Sequence, residues 1–223
     1  MNGLMDDGLM DDGLMDDGLM DRNIVILAGG ASSRMKNSVE PDSHLAIETR
    51  HKSKAMLGVG EGSRPFLDYL LFNVEQSGYE NVVIVVAQND TSIRDYYELH
   101  GGVRQFPHLT ITYAVQGVPA DRTKPLGTAD ALMQALNSMP SWKEKRFTVC
   151  NSDNLYSQTA LRLLLENEYD NAMIDYDRST LQFSEERIGQ FAVIKKDNGV
   201  FLHDIIEKPS FEELKQVSDT HGR

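Results

Sequence analysis

The segment Ile24-Val-Ile-Leu-Ala-Gly-Gly-Ala-Ser-Ser-Arg-Met-Lys36 decides how the rest of the chain is read. Its first five residues form an apolar run too short for a secretory core, and they lead directly into two glycines. They read as a buried strand that delivers the chain to a loop. At Gly29 and Gly30 the missing side chains let backbone N–H groups approach an anion, and Arg34 follows with a fork-shaped cation suited to phosphate oxygens. The segment has the form of a polyphosphate cradle; a turn carrying a surface arginine is the alternative reading of these residues alone. It is neither a Walker A loop nor the dinucleotide GxGxxG fingerprint, because Gly30 is followed by Ala31, Ser32 and Ser33.

Outward from this strand, short apolar runs alternate with helical patterns. Residues 66–75 carry apolar side chains at helical spacing and end at Ser77-Gly78, and residues 82–87 form a second buried-strand run. Residues 91–99, 128–139 and 157–168 read as helices, the second ended by Pro140; residues 109–115, 146–150 and 171–176 read as strands. This spacing predicts a three-layer α/β/α architecture with an open, mainly parallel sheet that binds ligands beyond the carboxyl ends of its strands. Residues 190–195 and 200–207 flank Asn198-Gly199, a strong hairpin pair, which predicts that the sheet is mixed.

Composition bounds the partners. The 223 residues include 34 acidic and 22 basic side chains, a formal net charge of -12 that argues against a nucleic-acid binder but not against a small phosphorylated substrate. Seven aspartates lie in residues 1–21, where Gly-Leu-Met-Asp-Asp repeats, so the remainder carries 27 acidic against 22 basic residues, a net of -5. A five-residue period builds neither a helical stripe nor a strand face, and residues 1–21 are read as a disordered low-complexity tail, with Met20 a plausible natural start. No stretch approaches the roughly 18 to 20 apolar residues of a membrane span, so no membrane partner is expected. The single cysteine, Cys150, suits a reducing, cytoplasmic compartment. His44, His51, His100, His108, His203 and His221 are scattered, and no structural zinc is expected.

Three further motifs follow the glycine loop in order. Pro125-Leu-Gly-Thr-Ala-Asp-Ala-Leu132 opens a helix at Gly127 and Thr128, where free N–H groups let a flat base or a phosphate sit close; an ordinary helix N-terminus is the plainer reading. Val149-Cys-Asn-Ser-Asp-Asn154 ends a strand with Asp153, a hard oxygen ligand of the kind Mg²⁺ prefers, or else a turn aspartate. Glu207-Lys208-Pro209 ends the last strand; proline blocks further pairing and presents both charges at the rim, as a solvated strand end also would.

Together with Leu27-Ala-Gly-Gly-x-x-Ser-Arg-Met35, these motifs resemble the nucleotidyltransferase superfamily over residues 23 to about 214, and within it the sugar-1-phosphate nucleotidyltransferases, including glucose-1-phosphate thymidylyl- and uridylyltransferases. The resemblance implies the Rossmann-like nucleotide-diphospho-sugar transferase fold over residues 22–223. It also implies transfer of a nucleotidyl group from a nucleoside triphosphate to a sugar 1-phosphate with release of pyrophosphate. By the same resemblance Ala28, Gly29, Gly30, Arg34, Gln116, Gly127 and Thr128 bind the nucleotide, with Gln116 and the Gly-Thr-Ala loop at the base. Asp153 is the metal ligand for Mg²⁺, Glu207 accepts hydrogen bonds from sugar hydroxyls, and Lys208 contacts the acceptor phosphate. Arg34, Lys54, Asp153 and Lys208 form the implied catalytic set. Lys54 follows Ser53 where the family commonly has proline, and it lies twenty residues after Arg34 across a polar, inserted loop at residues 37–52; Lys52 is the substitute. Arg122 and Lys124 read as solvated loop cations.

A molybdopterin-type or other phosphorylated acceptor is the enzymatic alternative, although that branch usually has glycine where Lys36 stands. A noncatalytic nucleotide- or sugar-phosphate-binding domain is the alternative from another class. The chain ends fourteen residues after Pro209, and nothing near Asp219 resembles the family's second metal aspartate, so the catalytic domain is expected to be incomplete at its C-terminus.

Overall fold

A computed structural model of the chain describes residues 21–30, 53–60, 62–99, 101–177, 180–197, 200–210 and 212–214. Arg34, Lys36, Lys52, Asp219, the Asn198-Gly199 pair, most of the repeat, the 37–52 segment, and His44, His51, His100 and His221 lie outside the described residues. The chain divides into two compact units, Met1–Tyr169 and Asp170–Arg223.

In the first unit the elements run β1 (Asn23–Leu27), a 3₁₀ turn (Lys54–Met56), β2 (Gly58–Val59), β3 (Arg64–Pro65), α1 (Phe66–Gln76), β4 (Asn81–Ala87) and α2 (Ser92–Arg94). They continue with β5 (Thr110–Gln116), α3 (Thr128–Ser138), β6 (Thr148–Asn151) and α4 (Gln158–Leu165). Four strands pair in the order β5-β4-β1-β6, all parallel, with Ile24 opposite Val82 on one side and Thr148 on the other. Strand alternation explains the layers. Ile24 and Ile26 of β1 and Val82, Ile84 and Val86 of β4 pack on one face with Leu67, Leu70, Leu71 and Val74 of α1 and Leu161 of α4. Val25, Val83, Val85 and Ala114 pack on the other face against Ala131 and Ala135 of α3 and Trp142. Both faces of the central strands are buried, as their near-continuous apolar runs require. Each fully buried valine, leucine or isoleucine contributes about 1.5 to 3 kcal/mol.

The order of pairing positions the cleft. The chain moves from β1 outward to β4 and β5, then returns through α3 to place β6 on the opposite side of β1. This reversal opens a crevice beyond the carboxyl ends of β1 and β6.

The pattern at residues 91–99 resolves into α2 followed by a π-helical turn, Asp95–Leu99. The π turn brings consecutive side chains closer in direction than the roughly 100° of an α-helix. Tyr96 and Tyr97 donate to the two oxygens of one carboxylate, Asp68, at 3.1 and 2.6 Å. Asp68 is fully buried and also takes a 2.9 Å bond from Arg64 Nε. This network ties the segment after β4 to α1.

In the second unit α5 (Glu185–Ile188) precedes β7 (Val193–Lys196) and β8 (Leu202–Ile206), an antiparallel hairpin. Two expectations are corrected here. Residues 171–176 form no strand: Met173 and Tyr176 are exposed, and among the described residues no strand pairs with the run. Among the described residues the four-stranded sheet is wholly parallel and the hairpin is a sheet of its own, because a period-two pattern specifies a hairpin's register but not the further strand it joins.

Two outcomes follow from the core. Asp68→Ala, which strands the buried Tyr97 hydroxyl, is expected to lower the unfolding free energy by about 2 to 4 kcal/mol in urea titration. Burial pushes the Cys150 thiol up to about 12, and burial likewise raises the Tyr79 and Tyr113 hydroxyls to about 12. The unfolded chain therefore releases these protons first as pH rises. Thermal stability is expected to fall from about pH 9 toward pH 12, and Cys150 to resist alkylation at about pH 8 until the protein unfolds.

Candidate active site

Two hydrogen bonds hold the end of β1. Ala28 N–H donates to Val85 O at 2.8 Å and Ser152 N–H donates to Leu27 O at 3.1 Å, extending the ladder one residue to each side. Gly29 then passes close to Gln116 at the end of β5: a Cβ on Gly29 would lie 3.0 Å from Gln116 Oε1. The same Cβ on Gly30 would meet open space. A side chain at the first glycine would crowd Gln116 of β5 across the intervening β4, whereas one at the second would not.

Gln116 is buried, with 4% exposure, and its amide nitrogen donates twice, to Gly127 O at 2.9 Å and to Asp130 Oδ2 at 2.8 Å. The long intervening loop thus returns to the strand it left. Gly127 has φ of 113°, a conformation that favours glycine, and no side chain caps α3 behind it. The first-turn N–H groups of α3 lack intrahelical acceptors at the end lined by Gly127 and Thr128.

Lys54 opens the 3₁₀ turn whose next two residues, Ala55 and Met56, are buried. Ser53 N–H reaches Ser92 Oγ at 3.3 Å, tying this turn to the start of α2. Across the cleft Asp153 follows β6, with Lys54 Nζ 4.0 Å from its Oδ2. Both side chains are partly exposed, so the pair contributes at most about 1 kcal/mol and is free to exchange partners. The loop carrying Asp153 closes on Tyr156, whose hydroxyl accepts from Asn151 N–H at 3.3 Å and Asn154 Nδ2 at 3.2 Å, while Asn73 on α1 holds the Tyr156 carbonyl at 2.8 Å.

These segments enclose a cleft of about 330 Å³. Of the residues singled out in the sequence, Ala28, Gly29, Gly30, Lys54, Gln116, Gly127, Thr128 and Asp153 line it. Among the described lining residues Asp153 is the one carboxylate and Lys54 the one cation. Arg122 and Lys124 are exposed on the loop before α3 and do not line it. Glu207 and Lys208 belong to the second unit; both are exposed, Lys208 adopts φ of 49°, and Pro209 is buried behind them. Reading the sequence missed Asp130 and Tyr156 as supports of this site. The first lay within a quoted motif, three residues after Gly127; the second, three after Asp153, carried no separate signal.

A family model for nucleotidyl transferases matches residues 23–220. The chain belongs to the nucleotidyl transferase family. Among relatives, a glucose-1-phosphate adenylyltransferase of Bacillus mycoides (strain KBAB4) is 22% identical over 206 residues, covering 87% of this chain and 49% of the relative. The corresponding enzyme of Bacillus cereus (strain Q1) matches to the same extent, so this nucleotidyl transferase chain spans about half the length of the curated relatives it matches. Solved structures share the fold. A UDP-glucose pyrophosphorylase complexed with UDP-glucose aligns with TM-score 0.56 and 18% identity over 86% of this chain and 70% of that one. A UTP-bound UGPase from Acinetobacter baumannii aligns with TM-score 0.55 and 16% identity over 84% and 68%. Among the described residues no helix is long and apolar enough to cross a membrane.

The tie between Tyr156 and the Asp153 loop is open to direct measurement. Tyr156→Phe keeps the ring and removes the acceptor, and the Asn151 amide is expected to exchange with solvent about five-fold faster or more, read by NMR or mass spectrometry; unchanged exchange would show that the loop is held without it.

Proposed function

We propose that this member of the nucleotidyl transferase family binds a nucleoside triphosphate in the cleft and joins its nucleotidyl group to a sugar 1-phosphate, forming an NDP-sugar and releasing pyrophosphate. The observation that carries this reading is convergence: Ala28–Gly30, Lys54, Gln116, Gly127–Thr128 and Asp153, drawn from separate parts of the chain, line one cleft at the carboxyl edge of a parallel sheet. The names of the relatives, a glucose-1-phosphate adenylyltransferase and a UDP-glucose pyrophosphorylase, support a sugar phosphate as acceptor.

The chemistry suits these residue types. A phosphate monoester has a second pKa near 6 and is largely a dianion at neutral pH, so the attacking oxygen needs no general base. What remains is to bring two polyanions together, with the acceptor oxygen forming a bond to the α-phosphorus as the bond to the pyrophosphate oxygen breaks. The Gly29 and Gly30 amides and Arg34 would hold the phosphates. Lys54 would neutralise charge on the leaving group, and Gln116 with the Gly127–Thr128 turn would hold the base. Glu207 would take the sugar hydroxyls and Lys208 the acceptor phosphate.

Asp153 fits Mg²⁺, which is commonly held by one or two carboxylates together with substrate phosphates, and it is the carboxylate lining the described cleft. Bound there, the ion would supply charge neutralisation between the phosphates and the carboxylate. Lys54 beside Asp153 keeps that carboxylate paired until a more highly charged partner arrives.

A pyrophosphate-release screen of nucleoside triphosphates against sugar 1-phosphates, with molybdopterin as a control acceptor, tests the reading. Release with at least one sugar phosphate is expected; triphosphate binding without release would favour a sensor, and release only with molybdopterin would overturn the sugar acceptor. Asp153→Ala is expected to lower Mg²⁺-dependent release at least 100-fold, on the order of 3 kcal/mol, with an unchanged circular dichroism spectrum. Release at the native rate would remove Asp153 from the metal site.

A further inference from the structure

We infer that Asp130 is a positioning residue for base selection, acting through Gln116; the inference rests on the nucleotide reading above. A buried glutamine amide is ordinarily ambivalent, since a half-turn about its last bond exchanges a donor for an acceptor. Gln116 is not free to make that exchange. Its amide nitrogen has two protons, and both are taken, one by the Gly127 carbonyl at 2.9 Å and the other by the Asp130 carboxylate at 2.8 Å. A carbonyl and a carboxylate only accept, so the flipped amide would set its oxygen against two acceptors at a site with 4% exposure.

Asp130 is itself well placed for this role. It sits in the first turn of α3, where the helix dipole favours negative charge, and Gln134 Nε2 one turn on donates to its second oxygen at 3.2 Å. With both protons engaged, Gln116 keeps its Oε1 on the side of Gly29, another residue of the cleft wall, where a Cβ would lie 3.0 Å away. Among the described residues, none donates to Oε1. The cleft is therefore offered an acceptor alone, and a base seated against Gln116 must present an N–H to it. The carboxylate need not touch the nucleotide: it converts an ambivalent amide into a reader of one polarity.

The test uses binding and does not require turnover. The full chain and its Asp130→Ala and Asp130→Asn variants are titrated calorimetrically with UTP, CTP, GTP and ATP. The pairs UTP/CTP and GTP/ATP each exchange a ring N–H beside a carbonyl for a ring acceptor beside an amino group. The native chain is expected to favour one member of at least one pair by about ten-fold, and Asp130→Ala to bring that ratio within about three-fold. Asp130→Asn, which retains an acceptor oxygen, is expected to restore most of the preference. Thermal unfolding accompanies each titration, to separate loss of the helix-end charge from loss of polarity. Uniform weakening toward all four nucleotides, an unchanged ratio in Asp130→Ala, or a native chain that binds without discrimination would each overturn the inference while leaving the nucleotide reading standing. A native chain that binds none of the four would overturn both.

Discussion

The cleft depends on the close approach of two strand ends, Gly29 after β1 and Gln116 at the end of β5, across the intervening β4. A side chain on Gly29 would crowd the Gln116 amide, and that amide is the link by which the loop before α3 is brought back to the sheet. The hydrogen bonds at Ala28 and Ser152 fix β1 from both sides at the same level, so the glycine loop and the Asp153 loop leave the sheet together. A parallel sheet makes this economical, because all four strands deliver their loops to one edge. Residues far apart in the chain then need only short turns to meet.

Packing behind the cleft sets how close its walls stand. Helix α3 meets the sheet through Ala131 and Ala135, whose small side chains let the helix backbone approach, and Ala131 also lines the cleft. On the opposite face α1 presents leucines and a valine, and its Asn73 reaches the Asp153 loop through the Tyr156 carbonyl. The two helical layers thus support different loops, one at Gly127 and one at Asp153. Lys54 is held by a short turn with two buried residues, tied to α2 by the bond from Ser53 to Ser92 and to α1 by the bond from Phe66 to Leu57.

Local pattern made much of this legible. The strand-glycine junction at residues 24–30 and the helix opened by Gly127-Thr128 carry signals within a few residues: apolar runs, glycine at positions of close approach or positive φ, and a proline after the helix. Asp153 was legible as a carboxylate after a strand. The apolar run at 171–176 misled because hydrophobicity can mark a strand only if a partner satisfies its backbone, and partners are not written locally. The π turn at Asp95–Leu99 was hidden for a related reason, since the carboxylate that its two tyrosines bind, Asp68, lies in another helix. The polarity of Gln116 depends on a carboxylate fourteen residues away and on a backbone carbonyl, and no periodicity reports which way an amide faces.

Charge shows the same distinction between global composition and local arrangement. The formal charge of -12 includes seven aspartates from residues 1–21, and the remaining -5 is spread over the body. Within the described lining, one lysine faces one aspartate, so the side chains sum to zero. A polyphosphate could not be drawn to such a wall by net charge. Within the described part of the cleft, the uncapped start of α3 is an oriented dipole that presents partial positive charge at a fixed position. Fixed dipoles act over short distances and lose strength with misalignment. The close approach at Gly29 and the bonds of Gln116 to Gly127 and Asp130 therefore do more than shape the cleft: they hold the start of α3 in register with the sheet.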